Sequence, residues 1–237
     1  KISFLLSLLV LTALWLMTDW AVLLQPNSFK GWRDLLIQYS GLLGIGVMSL
    51  GMTLALRPHR LETLLGGLDK MYRLHKWMGI AGLSLSVMHW LIIKGPKWLT
   101  NWGLLERRAK EPKVRVPDPE LLQQFFLNQR GLAKDMGEWA FYAAIILIVI
   151  ALIKWFPYRY FFKTHRLLAL VYLALAWHAI VLLTYQDWKG PIGVLLAVLL
   201  AGGVFSALVV LFRKVAVHRQ AMGEVAFFRR VSALNAV

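Results

Sequence analysis

Long apolar runs, broken by short polar and mostly basic connections, fill this 237-residue chain. A bilayer core of roughly 30 Å calls for about 20 apolar residues in helical form. Six segments meet or approach that length and predict spans: Ile2–Leu24, Leu35–Leu56, Asp69–Ile93, Trp139–Phe156, Leu167–Tyr185 and Ile192–Phe212. The third and fifth begin with polar, basic residues, so the third is taken back to Asp69 and the fifth to about Tyr158. All eight prolines fall outside the uninterrupted apolar cores, as helix punctuation should. The first span is long and lacks a clear small-residue cleavage site, so it reads as a retained helix and not as a signal peptide. Within the long third connection, Pro119–Met136 predicts a short surface helix with Leu121, Leu122, Phe125, Phe126 and Leu132 on its apolar side. The expected fold is an all-α integral membrane protein, a six-transmembrane-helix bundle over residues 1–212, followed by a cytoplasmic tail over 213–237.

Composition agrees with this picture and narrows the chemistry. The chain is 59% hydrophobic and only 16% charged, below the roughly 25% of a soluble domain. Lys plus Arg exceed Asp plus Glu by 27 to 12, giving a net charge of +15, yet nucleic-acid binders are not this apolar. Nucleic acid is therefore excluded as a partner, and the lipid bilayer takes its place. Cysteine is absent, which removes disulfides, thiolate metal sites, iron–sulfur clusters and cysteine nucleophiles together. The basic residues concentrate in the connections before the third and fifth spans and in the tail, which places the N- and C-termini in the cytoplasm. The Lys94–Asp135 connection, with nine basic and five acidic residues, runs against that bias.

Of six histidines, His59 and His218 lie in basic cytoplasmic segments and read as solvated or lipid-facing. The other four form a lattice. His75 and His89 are fourteen residues apart on the third span, and His165 and His178 thirteen apart on the fifth. At 1.5 Å per residue these separations are about 21 and 20 Å. The two spans run in the same direction, so His75 faces His165 at one level and His89 faces His178 at the other. Ionisable groups inside a membrane are costly and usually functional. Neutral imidazole is an axial ligand of haem iron, and two levels of opposed imidazoles are what two stacked b haems require. On the third span His75, Gly79, Gly82, Ser86 and His89 share one stripe, with small residues between the ligands. The stripe leaves room for flat macrocycles; equally, Gly79 and Gly82 suit ordinary helix packing. On the fifth span His178 falls about 140° around the helix from His165, off the ideal line. A zinc or copper site is the competing chemistry, but histidines about 20 Å apart cannot share an ion.

These residues, Met71–Trp90 (MYRLHKWMGIAGLSLSVMHW) and Tyr160–His178 (YFFKTHRLLALVYLALAWH), resemble the ferric reductase-like transmembrane domain of NADPH oxidases, metalloreductases and related bacterial enzymes. The resemblance covers roughly residues 2–212 and includes the spacings of 14 and 13. It implies a bacterial inner-membrane oxidoreductase of the NAD(P)H oxidase or ferric reductase type, with His75 and His165 on an inner haem b and His89 and His178 on an outer one. It further implies electrons from a cytosolic FAD/NAD(P)H module, in cis or trans, to O2 or a ferric chelate outside. No glycine-rich nucleotide loop is present, but Gly223–Val231 (GEVAFFRRV) reads like the first strand of a β-domain. The expectation is a fragment whose FAD-binding dehydrogenase domain begins near Glu224. The alternatives are a stand-alone haem subunit fed by quinol or a flavoprotein, similar to the membrane subunit of the bacterial methionine-sulfoxide repair system, and a non-redox proton or metal transporter. Arg73, Lys76 and Arg166 adjoin the inner ligands and are candidate partners for haem propionates, as is Lys163. Arg33, at the outer start of the second span, is a candidate to face the acceptor.

Overall fold

The computed structural model describes residues 2–23, 28–106, 121–183 and 185–212, and every regular element in them is helical. The tail, with the strand expected at Gly223–Val231, lies outside the described residues. In chain order the helices are α1 (Ile2–Leu23), α2 (Phe29–Ala55), α3 (His59–Leu65), α4 (Leu68–Asn101), α5 (Leu121–Leu152), α6 (Tyr158–Leu182), α7 (Tyr185–Lys189) and α8 (Pro191–Leu211). Five of them, α2, α4, α5, α6 and α8, are long and apolar enough to cross a membrane, while α1 shows a shorter apolar stretch, Phe4–Met17, among its described residues. The chain is therefore a multi-pass integral membrane protein, all-helical among the described residues.

Local chemistry sets the boundaries. Ser28 caps α2 by accepting a hydrogen bond from the Gly31 amide at 3.2 Å. Between α3 and α4 the chain reverses through Gly66 at φ 80° and Gly67 at φ 120°, a left-handed region where a Cβ is strained. Pro157 and Pro191 stand at the entries to α6 and α8, where a missing N–H costs nothing.

Two boundaries depart from the sequence expectation. Pro96 does not end the third span; it lies inside α4, which continues to Asn101. Proline leaves the carbonyl four residues earlier without its helical donor. That carbonyl is Ile92, and the Arg33 guanidinium supplies the bond, Nε to Ile92 O and Nη2 to Ile93 O, each at 3.2 Å. The side chain named as a candidate acceptor contact thus repairs a helix. Further on, the surface helix expected over Pro119–Met136 and the span after it form one continuous helix, the 32-residue α5. At 1.5 Å per residue α5 is about 48 Å long, well beyond the bilayer core.

The centre of the bundle is α2, which packs against α1, α4, α6 and α8. Glycines let neighbouring helices approach: Gly46 faces Leu11 of α1, Gly51 faces Met78 of α4, and Gly82 of α4 faces Met48 of α2. The second half of the bundle joins α6 to α5 and α8. A buried hydrogen bond at 2.8 Å between Ser49 Oγ and Tyr172 Oη ties α2 to α6 beside Gly203 of α8. Large apolar side chains such as Leu9, Met17, Val194, Val198 and Phe205 point outward, as in a protein solvated by lipid. α4 and α6 make little backbone contact with each other, and α2 and α5 each pack on both. The site occupies that separation.

Candidate functional site

The four spaced histidines meet in pairs across the space between α4 and α6. The His75 and His165 rings have centroids 6.0 Å apart and planes at 69°. His89 and His178 are 6.4 Å apart at 86°. Fourteen residues in helix return His89 to within about 40° of His75, so both point from α4 to the same side.

His178, about 140° off the line of His165, is seated by a different helix. α5 runs beside α6 and has a notch at Gly137, where a Cβ would overlap the His178 ring. One turn earlier the Ala133 carbonyl accepts from His178 Nδ1 at 2.8 Å. The notch and the carbonyl hold the imidazole in position, and the angular offset along α6 is taken up by contact with α5.

The α4 imidazoles are held from α2. His75 Nδ1 donates to Gly51 O at 2.9 Å. His89 Nδ1 lies 3.0 Å from Ser40 Oγ, and a Cβ on the adjacent Gly41 would come within 3.1 Å of His89 Cε1. Ser40 Oγ donates to Leu36 O at 2.6 Å, so its lone pairs are what it offers the ring. Bonds at Nδ1 leave Nε2 as the free nitrogen on these three rings, the arrangement common to metal-bound histidine. His165 differs: its Nδ1 is buried without a hydrogen-bond partner among the described residues, and the ring stacks on Phe161 at 5.0 Å and 13°.

These spacings suit an iron between each pair. Two imidazoles bound to one ion through nitrogens at roughly 2.0 Å have ring centroids about 6.3 Å apart. A lone zinc or copper fits less well, since no cluster of three or more His, Asp or Glu occurs among the described residues. With only two protein ligands, the remaining positions of the ion must be filled by something else, and a tetrapyrrole supplies four nitrogens in one plane. Gly79, between the α4 ligands, has no neighbour within 4 Å of a Cβ position, whereas Gly82 is closed against Met48. Of the two glycines on the stripe, Gly82 serves helix packing.

The candidate cations separate. Arg73 is two residues from His75, about 200° around α4, and its guanidinium is bonded to Asp69 at 2.8 Å. It lines a cavity of about 550 Å³ with Phe4, Leu65 and Trp77 on that opposite face. Lys76 is exposed and Arg166 partly buried, each next to an inner histidine. At the other end Lys94 pairs with Glu138 at 2.6 Å, and Tyr142 donates to the same carboxylate at 2.8 Å. Trp90, next to His89, stacks on Phe141 at 5.5 Å, and its indole N–H is buried without a partner among the described residues. His59 lies apart, 3.8 Å from Glu62 on the exposed α3. His218 is outside the described residues.

Sequence reasoning missed Ser40, Gly41, Gly51, Ala133 and Gly137. A serine and three glycines inside the helices were a signal of close approach, but what approaches them is not written locally.

A family model described as "Ferric reductase like transmembrane component" matches residues 40–176, more than half of the chain. No curated protein and no solved structure gives a significant match.

Proposed function

The chain belongs to the ferric reductase-like transmembrane family, and on that premise we propose that it carries electrons across the membrane through two bis-histidine b haems. Membership makes it an oxidoreductase of transmembrane electron transfer in general terms. The observation that carries the finer reading is the pair of imidazole couples at 6.0 and 6.4 Å. His75 and His165 hold the inner haem, and His89 and His178 the outer. When bound, each haem supplies a one-electron Fe(III)/Fe(II) couple.

The protein's part is to bind, orient and insulate. The Nδ1 bonds to Gly51, Ser40 and Ala133 fix which nitrogen of His75, His89 and His178 faces the metal. Apolar helix faces exclude water along the route. Lys76 and Arg166, next in sequence to the inner histidines, would pair with carboxylates at the inner haem edge. Arg73, engaged by Asp69, has less of its charge to offer there. Six spans with both termini cytoplasmic put the inner pair beside a cytosolic FAD/NAD(P)H module. The outer pair then faces O2 or a ferric chelate at the outer face of the bacterial inner membrane.

Reduced-minus-oxidised spectra of the purified full chain test this directly. Two low-spin b haems per polypeptide are expected. His89→Ala should remove one and spare the other. A colourless protein, or ion transport that persists without haem, overturns the reading.

A further inference from the structure

We propose that Ser40 is a positioning residue that sets the outer haem apart from the inner one, giving the outer haem the lower reduction potential. The inference rests on the two-haem reading above and concerns how this chain's own residues distinguish the two sites.

Ser40 is 1% exposed and sits inside α2, where a hydroxyl has no water to bond. Its Oγ donates to Leu36 O at 2.6 Å, the usual turn-back bond of a helical serine. A hydroxyl has a single proton, so toward His89 Nδ1, 3.0 Å away, it acts as acceptor. His89 is thereby held as the Nδ1–H tautomer with Nε2 free, and Gly41 leaves room for the ring beside it.

An acceptor at Nδ1–H makes the imidazole a stronger donor at Nε2, which favours the ferric state. The two pairs differ in how many such acceptors they have. In the outer pair both rings are served: His89 by Ser40 at 3.0 Å, and His178 by Ala133 O at 2.8 Å. In the inner pair only His75 is served, by Gly51 O at 2.9 Å, while His165 Nδ1 is buried and has no partner among the described residues. The outer haem therefore has the more strongly donating ligands and is the better reductant of the two. That suits the site that must hand the electron to an external acceptor.

The test is a potentiometric titration of the full chain in detergent or lipid discs, followed at the α-band. Wild type should give two steps, and the step that disappears in His89→Ala identifies the outer haem. That step should lie at the lower potential. Ser40→Ala should move it to more positive potential and leave the inner step in place, and Ser40→Thr, which keeps the hydroxyl, should restore it. Ser40→Cys fills nearly the same space with a weaker acceptor and should give a smaller shift in the same direction. If Ser40→Ala fails to fold and both haems are lost, the Cys variant carries the comparison. An outer step above the inner one, an unmoved outer step in both the Ala and Cys variants, or an equal shift of both steps overturns the proposal while leaving two haems in place. A wild-type protein without haem overturns the underlying reading as well.

Discussion

The imidazole of His178 lies against the backbone of Gly137, with its Nδ1 bonded to the carbonyl of Ala133 one turn earlier on the same helix. One helix provides the ligand, and its neighbour decides where the ligand points. The consequence is that α5, which carries none of the four paired histidines, controls the geometry of the outer pair.

Gly137→Ala should accordingly displace His178, because the new methyl group would occupy ring space that backbone cannot yield. Loss of one b haem from the reduced-minus-oxidised spectrum is expected, with the other retained. Gly131→Ala on the same helix meets nothing within 4 Å and serves as the control. It should keep both haems and be neutral or gain up to about 1 kcal/mol from helix propensity. Retention of both haems in Gly137→Ala would break the link.

The two α4 ligands should act independently. His75→Ala removes an imidazole whose partner is His165, and leaves His89 and its Ser40 bond about 21 Å away along the helix. The outer haem should remain spectroscopically normal while electron transfer from the cytoplasmic side stops. Dithionite reduction of the remaining haem, compared with reduction by a cytosolic flavoprotein donor, separates the two effects.

Arg33 satisfies two carbonyls that surround the proline break in α4. Arg33→Ala should leave Ile92 O without a donor and cost about 1–3 kcal/mol. Arg33→Lys should recover only part of this, since an ammonium lacks the planar fork. Thermal unfolding followed by helical circular dichroism reads the loss. Faster amide exchange between Ile92 and Asn101 would localise it.

Tyr172 and Ser49 make a buried bond at 2.8 Å, and Ser49 Oγ also donates to Ile45 O at 2.8 Å. Tyr172 is therefore the donor between them, and Tyr172→Phe leaves Ser49 with its own bond intact. The cost should be about 1 kcal/mol, with both haem spectra unchanged. Gly203→Ala should be far more damaging, because its Cβ would fall on the Tyr172 hydroxyl. A large change in either haem spectrum of Tyr172→Phe would show that the residue contributes more than packing.

Much of the architecture was legible in the sequence because membrane spans are local facts. The apolar runs that became α2, α4, α6 and α8 are visible without knowing their neighbours. The reading of Pro96 as a helix boundary went wrong for a tertiary reason, since Arg33 is 59 residues from the carbonyl it satisfies. The split of α5 into a surface helix and a span went wrong differently. Hydropathy falls where a helix leaves the hydrocarbon, but its backbone bonds are internal and need not end there.

At the site, the sequence by itself determined which four imidazoles stand at two levels, because the 14-residue spacing and the helical repeat fix height and face. It did not determine how each ring is held. Gly51 is 24 residues from His75, Ala133 is 45 from His178 and Ser40 is 49 from His89. Whether a carbonyl, a hydroxyl or nothing faces a given Nδ1 depends on which helices pack together and at what rotation. Only the tertiary structure decided that, because hydrogen bonds between helices are set by where two surfaces meet and not by the periodicity of either one.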